Sequence, residues 1–260
     1  MDDIARYNIR RWRALTAADA LFTRPYLDLD AQSARARLDP DGRLGDVSGR
    51  SVLCLAGGGG QQSAAFALLG AAVTVVDLSS EQLDRDRLVA RRYGVTIQTV
   101  QADMRDLSLM EPHAFDLVWQ PYSLNFVPDA RVVFREVARS LRPGGRYRFS
   151  CANPFTAGLT ERDWDGHGYR LHLSYVAGAI ITYPDQPWVH AANDVPWPRE
   201  YRHTLSGLIN GLLAEGFALE HLHDLADVSP DDSAKPGSWE HFTAIVPPWL
   251  TIWAARGAGD

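Results

Sequence analysis

The sequence predicts one α/β domain built on a mainly parallel sheet, and three observations carry that expectation. Short apolar runs alternate with helical stripes between residues 51 and 151, the rhythm of strand–helix–strand crossovers. Four consecutive glycines, Gly57 to Gly60, part the first run from the first stripe. The chain has 260 residues, 46% hydrophobic and 22% charged. That is long enough for a single large core, with an inserted lid, and ordinary for a globular domain.

Residues 1–45 are polar and arginine-rich, with aromatics at Tyr7, Trp12, Phe22 and Tyr26, and read as a helical cap of one or two helices. Residues 52–55 form the first strand and 61–69 a helix of small residues. Residues 72–76 form a second strand ending in Asp77. Residues 80–93 form a second helix, which Gly94 stops. Strands follow at 96–101 and 115–119. Val133, Val137 and Leu141 mark a helix that the Pro143-Gly144-Gly145 turn ends, and 146–151 is the fifth strand.

Residues 152–203 then lose all periodicity and gather prolines and aromatics, as an inserted substrate lid would. Leu205, Leu208, Ile209, Leu212 and Leu213 restore a helical face, stopped by Gly216. Residues 217–224 and 249–255 read as two last strands in an antiparallel hairpin, joined by a polar loop.

The formal charge of −6 argues against a nucleic-acid partner. Cys54 and Cys151 lie in apolar runs and read as buried thiols. The amino terminus is charged and no window reaches membrane-spanning length, so the expected setting is cytoplasmic, with no membrane partner.

A glycine turn between strand and helix lets a ligand lie against bare backbone and face helix N-terminal amides. Asp77, at the tip of the second strand, stands beside that turn, where a carboxylate can accept both hydroxyls of a ribose. Asp103, after the third strand, can accept from an adenine amine while the Met104 amide meets a ring nitrogen. Polar residues in Gln120-Pro-Tyr-Ser-Leu-Asn125 end the fourth strand. These groups converge on the sheet's carboxyl edge, where nucleotide-type cofactors bind.

Together these motifs resemble the class I S-adenosylmethionine-dependent methyltransferases, specifically the bacterial small-molecule enzymes similar to the ubiquinone-biosynthesis type. Val52-Leu-Cys-Leu-Ala-Gly-Gly-Gly-Gly60, Asp77, Ala102-Asp-Met104, Phe115-Asp-Leu-Val-Trp119 and Leu141-Arg-Pro-Gly-Gly145 carry the likeness over residues 50–150. The resemblance implies a Rossmann-like, seven-stranded sheet with the last strand antiparallel and helices on both faces. It implies S-adenosyl-L-methionine as cofactor and methyl transfer to a small molecule by in-line displacement. It also implies roles: Gly58 and Gly60 against the methionine portion, with backbone contacts from Ala56 and Gly57. Asp77 would hold the ribose and Leu78 would pack on adenine. Asp103 and Met104 would read the adenine edge, and the Gln120 carbonyl would meet the methionine ammonium.

Two positions depart from the family pattern. Cys54 replaces the usual acidic residue of the first motif and Ala56 its first glycine, leaving Gln61, Gln62 or a water to compensate. A cofactor-binding module without turnover is therefore one alternative. An NAD-dependent oxidoreductase is another and weaker one. Ser63 stands where the dinucleotide fingerprint wants glycine, and the single lysine, Lys235, cannot pair with a tyrosine for hydride transfer.

For proton removal from an acceptor, His203 with Tyr201 ahead of the late helix are the first candidates and His167 another. His221 and His223 with Asp224 lack a clear third partner for a metal, and no metal is expected. Trp164, Tyr169, Tyr175, Tyr183, Trp188 and Trp197 suggest an aromatic or apolar acceptor under the lid. Tyr7, Arg11 and Trp12 are candidates to close over the cofactor. Gly58→Val and Asp77→Ala are predicted to abolish S-adenosylmethionine binding in titration calorimetry, and Cys54→Ala to change it little; undiminished binding by the first two overturns the assignment.

Overall fold

A computed structural model of the chain describes residues 1–183, 195–224 and 228–258. Helices α1 (Asp3–Ala17) and α2 (Ala31–Leu38) precede β1 (Ser51–Leu55), α3 (Gln62–Leu68), β2 (Ala72–Asp77), α4 (Ser80–Tyr93) and β3 (Ile97–Gln101). Then come β4 (Phe115–Gln120), α5 (Ala130–Ser140), β5 (Leu141–Ala152) and a ribbon of β6 (Ile180–Ile181) and β7 (Glu200–Tyr201). The chain closes with α6 (Leu205–Ala214), β8 (Phe217–His223), α7 (Trp239–Ile245) and β9 (Trp249–Arg256).

Val52, Leu53, Cys54 and Leu55 are all fully buried, so β1 is covered on both faces, as a central parallel strand must be. It pairs in parallel with β2 and β4. The seven-stranded order is β3-β2-β1-β4-β5-β9-β8, with β9 antiparallel to both its neighbours. This is the Rossmann-like arrangement the resemblance implies. Chain order reverses between β1 and β4, so loops at their carboxyl ends splay apart and leave a crevice.

Each face of the sheet is covered by its own helices. Phe134 and Val137 of α5 and Leu208 and Leu212 of α6 pack with Tyr147 and Phe149 of β5. Gly211 admits the close approach: a Cβ there would stand 3.1 Å from the Phe134 ring. On the other face Leu38, Phe66, Leu83 and Val89 meet Trp119 and Trp253. Helix α4 starts on Ser79, whose hydroxyl accepts from the Gln82 amide, and ends on Gly94 at φ +64°, as its sequence foretells. No described helix is long and apolar enough to cross a membrane.

Two expectations need correction. Helix α5 ends at Ser140, before the Pro-Gly-Gly turn, and Leu141 is already extended. Arg142, the residue preceding Pro143, is disfavoured in the helical region, so the helix stops short of the turn, and residues 142–145 form a bulge between the Phe115↔Leu141 and Leu117↔Arg146 pairs. The loop between β8 and β9 also contains α7, capped by Ser238. Its seven residues are too short for a periodic signal, although Phe242 and Val246 anchor it. Truncating Phe134 to alanine empties the meeting point of α5, α6 and β5, and is expected to lower stability by about 3–5 kcal/mol in urea unfolding; a loss under about 1 kcal/mol would contradict this packing.

Candidate functional site

The glycine run is fixed from below by a carboxylate that sequence reasoning did not single out. Asp86 of α4 is fully buried. It accepts the Gly59 amide at 3.1 Å, the Gly60 amide at 3.0 Å and the Ser63 hydroxyl at 2.5 Å. Burial raises its carboxyl to about 7 against those three donors, with Asp77 adding repulsion. The acidic residue absent from β1 thus has a counterpart beneath the same loop, contributed by the next helix. Ser63 and Asp86 are 23 residues apart, which hid the pairing. Gln61, a candidate to compensate for Cys54, instead donates to the Phe22 and Arg24 carbonyls at 3.1 and 2.8 Å, tying the loop to the N-terminal segment.

Upward, the turn opens on a cavity of about 1070 Å³. Ala56 has φ +45°, a left-handed backbone that a non-glycine residue adopts only under local strain. This accounts for the family's preference for glycine there. The Gly58 amide donates to Asp77 Oδ2 at 3.0 Å, and the Ser79 amide to Oδ1 at 2.8 Å. Burial pushes the Asp77 carboxyl upward while these amides oppose the shift. A Cβ on Gly58 would come within 2.9 Å of Asp77 Oδ2, so no side chain fits between turn and carboxylate.

The structure brings Ala56, Gly57, Gly58, Asp77, Leu78 and Met104 together on the wall of this cavity. Arg11 and Trp12 of α1 line it as well, with Trp12 edge-on to Phe22 and Phe126. The arrangement fits a cofactor with a ribose, a flat base and a cationic sulfonium. It offers a carboxylate beside bare backbone, two apolar side chains for a ring face, and no described Lys or Arg on the glycine turn itself.

Three of the expected cofactor residues stand elsewhere. Gly60 faces α4, where a Cβ would meet the Arg85 carbonyl at 2.8 Å and Val89 at 2.9 Å; its amide is held by Asp86. The Asp103 carboxylate is taken by Arg105 at 2.6 Å, which also grips Asp2 at 2.7 Å. The Gln120 side chain is fully buried, donating to Ser123 Oγ at 3.1 Å and accepting the Tyr147 hydroxyl. The role expected of Gln120 runs through its backbone rather than this side chain.

The structure places the catalytic candidates away from the cavity. His203 is 8% exposed and does not line the cavity. Its Nε2 is 3.0 Å from the Leu124 carbonyl, and burial pushes its pKa down. It is a neutral core histidine bracing the turn after β4. Tyr201 is likewise buried in the β6–β7 ribbon and away from the cavity. His167 sits in an exposed turn built on Asp165, and His223 lies 3.5 Å from Asp41.

Of the aromatics expected in a lid, Tyr183 lines the cavity. Trp164 and Tyr169 pack on His241, Tyr175 stacks on Phe155, and Trp197 is half exposed. Trp188 lies outside the described residues. The tryptophans on the wall come from elsewhere: Trp12, Trp119, Trp239, Trp249 and Trp253.

One cluster on the wall was not anticipated. Glu200 of β7 is 6% exposed. Its Oε2 accepts the Tyr122 hydroxyl at 3.0 Å and the Tyr183 hydroxyl at 2.9 Å. Nothing in the local sequence pairs these three residues; they meet because the turn after β4 faces the ribbon.

Residues 53–149 match the family described as a methyltransferase domain. Over 108 residues the chain is 43% identical to an uncharacterised methyltransferase of Bacillus subtilis, a match covering 42% of each protein. Over 111 residues it is 34% identical to a ubiquinone biosynthesis O-methyltransferase of Klebsiella pneumoniae, covering 43% of this chain and 46% of that one. Each match takes in less than half of the relative's length. In overall fold the chain is similar to an S-adenosylmethionine-dependent methyltransferase of Mesorhizobium loti. The TM-score is 0.60 at 24% identity, with 89% of this chain and 100% of that one covered.

A carboxyl raised to about 7 in the fold, against 3.8 unfolded, binds its proton more tightly in the native state. Stability from Asp86 is therefore lost as pH rises through that window, by on the order of 4 kcal/mol. Urea unfolding of the wild type is expected to give a lower midpoint at about pH 8 than at about pH 5. Asp86→Asn should remove that part of the difference, and an identical pH dependence in both proteins would contradict it.

Proposed function

We propose that this chain, whose residues 53–149 match a methyltransferase domain, is a class I S-adenosylmethionine-dependent methyltransferase that moves a methyl group from its cofactor to a small-molecule acceptor held in the same cavity. The observation that carries this reading is the continuity of the cavity. One wall holds Gly57, Gly58, Asp77 and Met104, and another holds Tyr122, Tyr183, Trp239, Trp249 and Trp253. Its volume of about 1070 Å³ exceeds the range of about 300–1,000 Å³ usual for one ligand, which suits a cofactor with its acceptor beside it.

The bound cofactor supplies an activated methyl group and an excellent leaving group. The chain's own work is then position, orientation and exclusion of water. Ala56, Gly57 and Gly58 offer backbone and Asp77 a ribose acceptor, while Leu78 and Met104 flank the base. Gly60 acts from behind by fixing the turn. Asp103 serves the adenine edge once it is shared with Arg105, and the Gln120 carbonyl faces the methionine ammonium. Residues 1–45 cap the cofactor through Arg11 and Trp12, and residues 152–203 form the acceptor's lid within a single domain 1–260.

The tryptophan and tyrosine walls favour an aromatic or apolar acceptor, and the charge of −6 disfavours nucleic acid. The reaction is assigned to the cytoplasm, where the cofactor and small metabolites meet. Incubation with S-adenosyl-[methyl-³H]methionine and fractionated cell extract is expected to label low-molecular-mass compounds. Label confined to protein or RNA, or tight cofactor binding with no transfer to any fraction, would overturn the proposal.

A further inference from the structure

Glu200 is the one described carboxylate on the acceptor side that combines deep burial with contact to the cavity. A carboxylate taken out of water must be compensated by hydrogen bonds or counter-charge. Here the compensation is lopsided. Both phenol hydroxyls, from Tyr122 and Tyr183, donate to Oε2, whereas Oε1 has no hydrogen-bond partner among the described residues. One oxygen is anchored and the other is left for a ligand.

The cluster is also close to the cofactor turn. Pro121 closes over that turn, since a Cβ on Gly57 would stand 3.1 Å from Pro121 Cδ. Tyr122 follows directly, held at φ +45°. A left-handed backbone is a costly conformation for a bulky aromatic and persists where the surroundings enforce it. Here it accompanies a hydroxyl delivered to Glu200 from the chain segment that edges the glycine turn.

We propose that Glu200, anchored through Oε2 by Tyr122 and Tyr183, is the catalytic residue that takes the acceptor's proton, and that the acceptor is therefore a hydroxyl or an N–H amine. The inference rests on the methyl-transfer reading. As the oxygen–carbon or nitrogen–carbon bond to the methyl group forms, the carbon–sulfur bond breaks and its electron pair stays on sulfur. The acceptor's proton passes to Glu200 Oε1 and leaves later to water. A thioether or tertiary amine has no such proton and would make Oε1 superfluous.

The groups facing Glu200 set its readiness for the task. Burial pushes its carboxyl upward, which strengthens it as a base, while Tyr183, Tyr122 and the charge of Arg11 from α1 hold it back. Arg11 is itself lowered to about 10 by burial and stays charged at neutral pH. The balance leaves Glu200 with a proton affinity above that of a solvated glutamate.

Three measurements decide it. Glu200→Gln should bind S-adenosylhomocysteine like the wild type in calorimetry, yet transfer tritium to the extract fraction about 10²–10⁴ times more slowly. Equal transfer rates overturn the proton-acceptor role and leave methyl transfer standing; no transfer by the wild type overturns both. Carbon-13 NMR of the glutamate carboxyls, with Glu200 assigned by through-bond correlation to its own backbone, should show it titrating above the ordinary glutamate range. Tyr183→Phe should move that titration further up, because it removes a donor from the anion. A Glu200 titrating as a solvated glutamate, or unmoved by Tyr183→Phe, overturns the role even if Glu200→Gln fails to fold.

Discussion

The three hydrogen bonds that Asp86 accepts from Gly59, Gly60 and Ser63 are the constraint on which the site depends. Four glycines in sequence have more backbone freedom than any other tetrapeptide, and an unrestrained run would sample many shapes. Two adjacent amides pinned to one buried carboxylate select a single shape. That shape turns Gly60 down onto α4 and presents Gly57 and Gly58 to the cavity. It also puts the Gly58 amide on Asp77. The two carboxylates thus clamp the turn from opposite sides, and their repulsion is part of what lifts the Asp86 carboxyl.

The acceptor side is organised by a different principle. Its walls are large aromatic surfaces gathered from β4, β9, α7 and Tyr183, which exclude water without dictating a unique ligand shape. Polar specificity within that apolar setting is concentrated at Tyr122, Tyr183 and Glu200. On the proposed reading, such a cavity separates the two demands of group transfer, one end holding a constant donor and the other admitting a particular acceptor.

The sequence made the sheet and the donor end legible because both rest on local pattern. Strand and helix periods place β1 to β5, and the glycines, Asp77 and Met104 fall at strand ends close to one another in the chain. The acceptor end was not legible. Tyr122 and Glu200 are 78 residues apart, Ser63 and Asp86 are 23 apart, and neither pair belongs to a spaced motif. His203 attracted attention as a residue type suited to proton transfer, yet its neighbourhood makes it a strut. Chemistry that depends on burial and opposition across the fold leaves no period for a sequence reading to find.

The ion chain from Asp2 through Arg105 to Asp103 joins the first turn of α1 to the loop beyond β3. Asp2 also caps that helix, accepting the Ala5 amide at 2.9 Å, so one carboxylate both starts α1 and latches it. Any ligand that draws on Asp103 must compete with Arg105 for it, and by linkage whatever it does to the hold on Asp2, that hold does to its binding by the same free energy. The N-terminal helix is in this sense a clasp with its catch in the loop beyond β3. A change in that loop and a change in how the first helix is held become two faces of one equilibrium.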